Sequence, residues 1–177
     1  MKFTTRRIAF AGVLAAVYAA LTILEGMLVP SLAFGTVQFR FAEALAVLCC
    51  FTPAAIPGMV VGCMAANLFS FVSAWDFVIG SLATLLAALL TWRMSQGLLR
   101  NRRWLAWLIP LPTILCNAVI VGAEIAIFFD ERAFLPAWGV NAAFVGLGEA
   151  AVMYVLGLPL LYFLWNNKRV AHQLRTV

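Results

Sequence analysis

The sequence predicts an all-α, polytopic membrane protein with six transmembrane helices, the second of them short, and with both the N- and the C-terminus cytoplasmic. Three observations carry this prediction. Hydrophobic residues make up 65% of the 177 positions and charged residues 11%, against roughly 45–50% and 25% in an ordinary soluble domain. Apolar runs at Ile8–Pro30, Ala54–Phe71, Phe77–Trp92, Trp104–Phe129 and Trp138–Leu164 are broken by few charges. Most of them reach the ~20 residues that a helix rising ~1.5 Å per residue needs to cross ~30 Å of hydrocarbon. Finally, the basic residues fall almost entirely on one side when the spans are counted as six. No linker or low-complexity tract divides the chain, so residues 1–177 read as a single transmembrane domain.

The first run follows Lys2, Arg6 and Arg7, exceeds the length of a signal-peptide core and lacks a small-x-small cleavage site, so it is expected to stay as the first span. Within it Ala11, Ala15 and Ala19 recur every four residues beside Gly12, Ala16 and Ala20, a smooth stripe that lets another helix approach closely. Taken alone, the stripe reads as internal packing.

The segment Phe41–Phe71, interrupted by Pro53 and Pro57, is long for one span and short for two. Charge parity separates the alternatives. Two helices there leave ten of the twelve Lys and Arg residues inside and only Arg40 and Arg132 outside, whereas one kinked helix gives four inside and eight outside. The positive-inside rule selects the first. The Phe41–Phe51 helix then rises only ~16 Å in α form, so it must be short, tilted or buried by protein at one end. In the fourth span Gly80, Thr84 and Ala87 form another close-packing face.

In this topology all seven acids, Glu25, Glu43, Asp76, Glu124, Asp130, Glu131 and Glu149, lie in the outer half or near the midplane, and against two arginines they leave that half at net −5. Cytoplasmic base is expected of any inner-membrane protein and implies no nucleic acid. Intramembrane acids are less ordinary, costing about 2.5–3.5 kcal/mol each on insertion scales and usually facing a cavity or a partner. Glu149, eleven residues after Trp138, falls ~16 Å along the last helix, near the middle of the bilayer. Asn117 and Glu124, seven apart, share a face of the fifth helix. Asn67 and Asn141 add amides that both donate and accept, and Trp75, next to Asp76, and Trp138 offer flat surfaces at the outer interface. Each Asn alone reads as an interhelical hydrogen bond worth about 0.6 kcal/mol, and each Trp as part of an aromatic belt. Together with the carboxylates they read as a polar ligand cavity. The segment "VQFRFAEALAVL" adds Gln38, Arg40 and Glu43 at its rim. Arg40 and Glu43, three apart, either form a mutual ion pair or belong to a loop over the pocket mouth in which Gln38 or Arg40 reaches ligand while Glu43 holds Arg40.

Other features exclude function classes. His172, the only histidine, lies in the C-terminal tail, so histidine-based metal or haem sites within the membrane are not expected. Cys49, Cys50, Cys63 and Cys116 sit in apolar segments and suggest neither disulfides nor a metal site. There is no phosphate-binding loop and no room for a nucleotide-binding domain, so any ATP is expected to be hydrolysed by another chain, with no cofactor here. Internal repeats of the kind found in secondary transporters are not evident.

With "VQFRFAEALAVL", "GMVVGCMAANL" and "WDFVIGSLATLLAALL" in a chain of six short-looped spans, the sequence resembles the QueT family along essentially its whole length. These are membrane-embedded substrate-binding subunits (S components) of energy-coupling-factor (ECF) transporters for queuosine precursors. The resemblance implies a non-enzymatic subunit in a bacterial cytoplasmic membrane. It would bind a 7-deazaguanine derivative from the outer side and deliver it through a coupling transmembrane subunit and two ATPase subunits. It also implies that the Ala11, Ala15 and Ala19 surface docks on the coupling subunit. Another small polar metabolite or vitamin, or an intramembrane enzymatic role, are the alternative readings.

Overall fold

The computed structural model describes residues 4–29, 39–68, 74–98 and 103–177. Gln38 lies outside them, as do Lys2, Arg100 and Arg102 of the charge argument. The described residues contain no strand. Helix α1 (Thr5–Leu28) buries Leu14, Ala15, Tyr18, Thr22 and Glu25 along one face, the 3.6-residue periodicity of a helix packed on one side. Val13, Val17, Leu21 and Leu24 are exposed on the other, as a lipid-facing surface would be.

The short second element, α2 (Phe41–Cys50), is a 3-10 helix of ten residues. At ~2.0 Å per residue a 3-10 helix of this length rises about 20 Å, more than the ~16 Å expected of it as an α-helix. Such long 3-10 runs are uncommon, and this one is surrounded: α2 touches α1, α3, α4, α6 and α7. Its buried positions include Ala42, Ala44, Ala46 and Cys49, small enough to let those neighbours close around it. The turn after it is fixed by Thr52, whose Oγ1 accepts the Ala54 N–H at 3.2 Å.

Helix α3 (Ala55–Leu68) carries Pro57 in its first turn, where a missing N–H costs no helical hydrogen bond. It crosses α1 in close contact. A Cβ on Gly62 would lie 2.8 Å from the Ala15 carbonyl oxygen and 2.7 Å from Tyr18 Cβ, so only glycine allows the two backbones this near. Helix α4 (Ala74–Leu98) leads through a 3-10 turn (Arg103–Leu108) into α5 (Leu111–Phe128), and α6 (Phe134–Val152) packs antiparallel against α5.

After α6 comes a π-helical turn (Met153–Gly157) and then α7 (Leu158–Asn166). Pro159 supplies the cause, because its ring and missing N–H disrupt the bond to the carbonyl four residues earlier, and a widened turn absorbs the misfit. The chain closes with α8 (Lys168–Thr176), capped by Asn167, whose side chain accepts the Val170 N–H at 3.3 Å. Its apolar residues Val170, Ala171 and Leu174 join a cluster with Phe51, Ala106, Ile109 and Leu161. The Arg7 guanidinium donates to the Val177 carbonyl, bringing the two ends of the described chain to one end of the bundle.

Among the described residues four apolar segments are long enough to cross a membrane: Thr5–Leu28, Trp75–Gly97, Trp104–Phe128 and Phe134–Asn166. Phe41–Cys50 and Ala55–Leu68 are apolar but shorter. The architecture is therefore all-helical and polytopic.

Candidate ligand-binding site

The polar groups converge at the end of the bundle away from the termini. Arg40, the residue before α2, has extended backbone (φ −69°, ψ 92°), which breaks the helical adjacency expected between it and Glu43. The predicted Arg40–Glu43 ion pair is accordingly replaced. Arg40 donates to both carboxylate oxygens of Asp76, each at 3.3 Å, and Asp76 sits in the first turn of α4, where a helix favours negative charge. Asn67 secures the same corner by donating to the Asp76 carbonyl at 2.8 Å. Gly80 lies beneath it: a Cβ there would come 2.7 Å from Asp76 Oδ1 and 2.9 Å from Asn67 Nδ2.

Glu43 instead takes its partners from two other helices. Tyr18 of α1 donates its hydroxyl to Glu43 Oε1, and Thr84 of α4 donates to the same oxygen at 3.2 Å. Glu149 of α6 accepts from Asn117 Nδ2 of α5 at 2.9 Å. Glu25 of α1 accepts the Phe41 N–H at 3.1 Å. Each of these three carboxylates has one oxygen anchored and the other buried without a partner: Glu25 Oε1, Glu43 Oε2 and Glu149 Oε2. Glu124 has both oxygens unpartnered, and Asn67 Oδ1 and Asn117 Oδ1 are also free. Against these acceptors, Arg40 Nε is the only unpartnered nitrogen among the described buried side chains. A buried polar atom without a partner costs about 1–3 kcal/mol, so a row of them indicates atoms held for something that binds.

Other sequence candidates lie apart from this cluster. Asn141 donates to Asp130 Oδ2 at 3.0 Å in the α5–α6 connection. There Arg132 holds the Asp130 carboxyl well below the usual carboxylate range, chiefly through side-chain and then backbone hydrogen bonds. Trp138 donates its indole N–H to the Val119 carbonyl at 3.1 Å and stacks on Phe134. Trp75 is exposed and stacks on Phe128. Tyr18 and Thr84, by contrast, belong to the cluster although the sequence does not single them out as ligand residues. The readable signal for Tyr18 was its spacing with Thr22 and Glu25 (i, i+4, i+7) in an otherwise apolar helix. Gly80 and Thr84, predicted as a packing face, line the polar cluster.

At the opposite end, an apolar groove of about 710 Å³ is lined by Ala11, Gly12 and Ala15 of α1, Pro57 and Val60 of α3 and Trp92 of α4. Ala11 and Ala15 thus both border the groove and back onto α3 at Gly58 and Gly62. Ala19 is half-buried one turn further on.

Among the described residues no group of His, Cys, Asp or Glu side chains is arranged to hold a metal ion. Ionisable groups collected inside a helical bundle mark substrate pathways, and this fold and interior define a polytopic membrane protein of the transport class. The sequence profile of the QueT transporter family matches residues 8–166. The chain belongs to that family. No curated protein and no solved structure matches it.

Proposed function

We propose that the protein is the substrate-binding subunit of an ECF-type importer, taking a queuosine precursor from the outer side of a bacterial cytoplasmic membrane. The observation that carries this reading is the imbalance of the site: seven buried acceptor oxygens, from Glu25, Glu43, Asn67, Asn117, Glu124 and Glu149, have no partner, against a single unpartnered N–H among the described residues, that of Arg40 Nε. The complementary ligand is rich in N–H donors and poor in acceptors. A 7-deazaguanine has adjacent ring and exocyclic N–H groups, a carbonyl for Arg40 and a flat face, and its aminomethyl form adds a cation to a site with surplus carboxylates. Glu149 or Glu124 reads the ring edge and another acid neutralises the amine.

Six crossings with both termini inside agree with the Arg7–Val177 contact. In this arrangement α2 and α3 need not each span the full hydrocarbon, because their neighbours bury them. The apolar groove beside Ala11 and Ala15 is the surface that receives the coupling subunit, and partner ATPases supply the energy.

Titration of the purified chain with queuosine precursors, with guanine as control, tests the reading. Selective binding of a precursor is the expected result. Absence of binding, or equal affinity for guanine, overturns it.

A further inference from the structure

Two carboxylates of the site, Glu149 and Glu43, are anchored differently. Glu149 is held by an amide, and Asn117 Oδ1 and Glu149 Oε2 both remain without a partner. Two free acceptors on one hydrogen-bonded pair suit the N–H groups of a ring edge. Glu43 is held by two hydroxyls on Oε1, those of Tyr18 and Thr84, while Oε2 has no partner and the residue is 0% exposed. Neutral hydroxyls orient a carboxylate without neutralising it. The nearby cation Arg40 is committed to both oxygens of Asp76, and among the described residues the ion pairs are Arg40–Asp76 and Arg132–Asp130. Glu43 is therefore a buried acid, fixed in direction, without a counter-ion of its own.

We propose that Glu43, aimed by the positioning residues Tyr18 and Thr84, forms a separate subsite for a primary ammonium group of the ligand and sets the preference for amine-bearing over neutral ligands. The assignment rests on the proposed function only for the ring that carries the amine. Tyr18 contributes by holding Oε1, which leaves Oε2 as the oxygen offered to the guest. Thr84 does the same from α4, and its Oγ1 lies 3.4 Å from Cys63 Sγ.

The test compares 7-aminomethyl-7-deazaguanine with 7-deazaguanine, which lacks the amine, by calorimetric titration of the full-length chain in detergent or nanodiscs. The wild type is expected to prefer the aminomethyl ligand. Loss of a charge-assisted bond in Glu43→Gln should weaken that ligand about 10–100-fold while changing 7-deazaguanine by less than about threefold. Tyr18→Phe, which removes only the hydroxyl, should narrow the preference without abolishing binding, and Thr84→Ser should retain it. A purely structural role would weaken both ligands together, and that result overturns the subsite. So does a preference that survives in both Glu43→Gln and Tyr18→Phe, while leaving the proposed function intact. A wild type that binds neither ligand overturns the proposed function and the subsite with it. Should Glu43→Gln fail to fold, the selectivity of Tyr18→Phe decides.

Discussion

Glu149 commits one oxygen to Asn117 and keeps the other free inside the bundle, so its substitution separates binding from folding. Glu149→Gln replaces an acceptor with a group that carries a donor, and losing a charge-assisted bond of about 1.5–3 kcal/mol should lower ligand affinity by one to two decades. Calorimetry on a variant with unchanged melting behaviour checks this; wild-type affinity would pass the role to Glu124. Gly80 makes a different prediction. A methyl group there meets Asp76 and Asn67 at under 3 Å, so Gly80→Ala should push apart the Arg40–Asp76–Asn67 corner. The expected cost is about 1–3 kcal/mol of stability, with weakened binding, read by thermal melting with and without ligand. At this scale the sequence is informative where a residue is costly: Glu124 and Glu149 stand out because a buried acid needs a reason. It is mute about pairing. Whether Arg40 meets Glu43 or Asp76 depends on the backbone angle before α2 and on how close α4 lies, and neither is encoded in the local spacing. Tyr18 is overlooked for a related reason, since an aromatic in an apolar helix looks like core until the carboxylate it serves is placed beside it.

Among the elements, α1 has two neighbours on one stripe. Its Ala15 backbone lies against Gly62, whereas a Cβ on Gly12 would meet nothing within 4 Å, although Gly12 and Ala15 border the same groove. The two positions should answer differently. Gly12→Trp fills the groove and is expected to leave ligand binding by the isolated chain intact while sharply reducing uptake in cells and assembly with the coupling subunit. Ala15→Trp presses on α3, and overpacking of about 1–3 kcal/mol should lower stability and binding together. Loss of ligand binding in both variants, or normal uptake with Gly12→Trp, would remove the groove from partner docking. The α5–α6 connection offers a pH test. Arg132 lowers the Asp130 carboxyl, so the tie to Asn141 is present above the unfolded carboxylate value and lost only as pH falls through the lower folded one. Arg132→Ala should raise that acid edge towards the ordinary Asp value of about 4, measured as earlier loss of hydrogen-exchange protection around residues 129–134 on acidification. Hydropathy located the long helices because twenty apolar residues allow little else. It did not distinguish 3-10 from α geometry in α2, which depends on the helices packed around it, nor the π-turn, although Pro159 marks where a regular helix fails.

For the whole molecule the number of crossings turns on α2 and α3. A ten-residue 3-10 helix and a fourteen-residue α-helix each rise about 20 Å, short of the ~30 Å core. That shortfall is tolerable only because α2 is enclosed by α1, α3, α4, α6 and α7, so its backbone groups and ends meet protein rather than lipid. If both cross, the turn at Arg103–Leu108 and helix α8 lie on the side of Thr5, and the connection at Arg132 lies opposite. If the pair makes a single kinked crossing, these positions exchange sides. Arg7 and Val177 are in contact, so an arrangement that parts them would have to break the fold as well as the positive-inside rule. The prediction is that a reporter fused after Val177 is active only in the cytoplasm, and that Arg132→Cys is labelled by a membrane-impermeant maleimide added to intact cells. The native thiols are suited to this background, since Cys49 and Cys63 are buried and Cys50 and Cys116 half-buried. An externally active C-terminal reporter, or an Arg132→Cys site labelled only after the membrane is opened, would reject six crossings with both termini inside and place the carboxylate site on the other face.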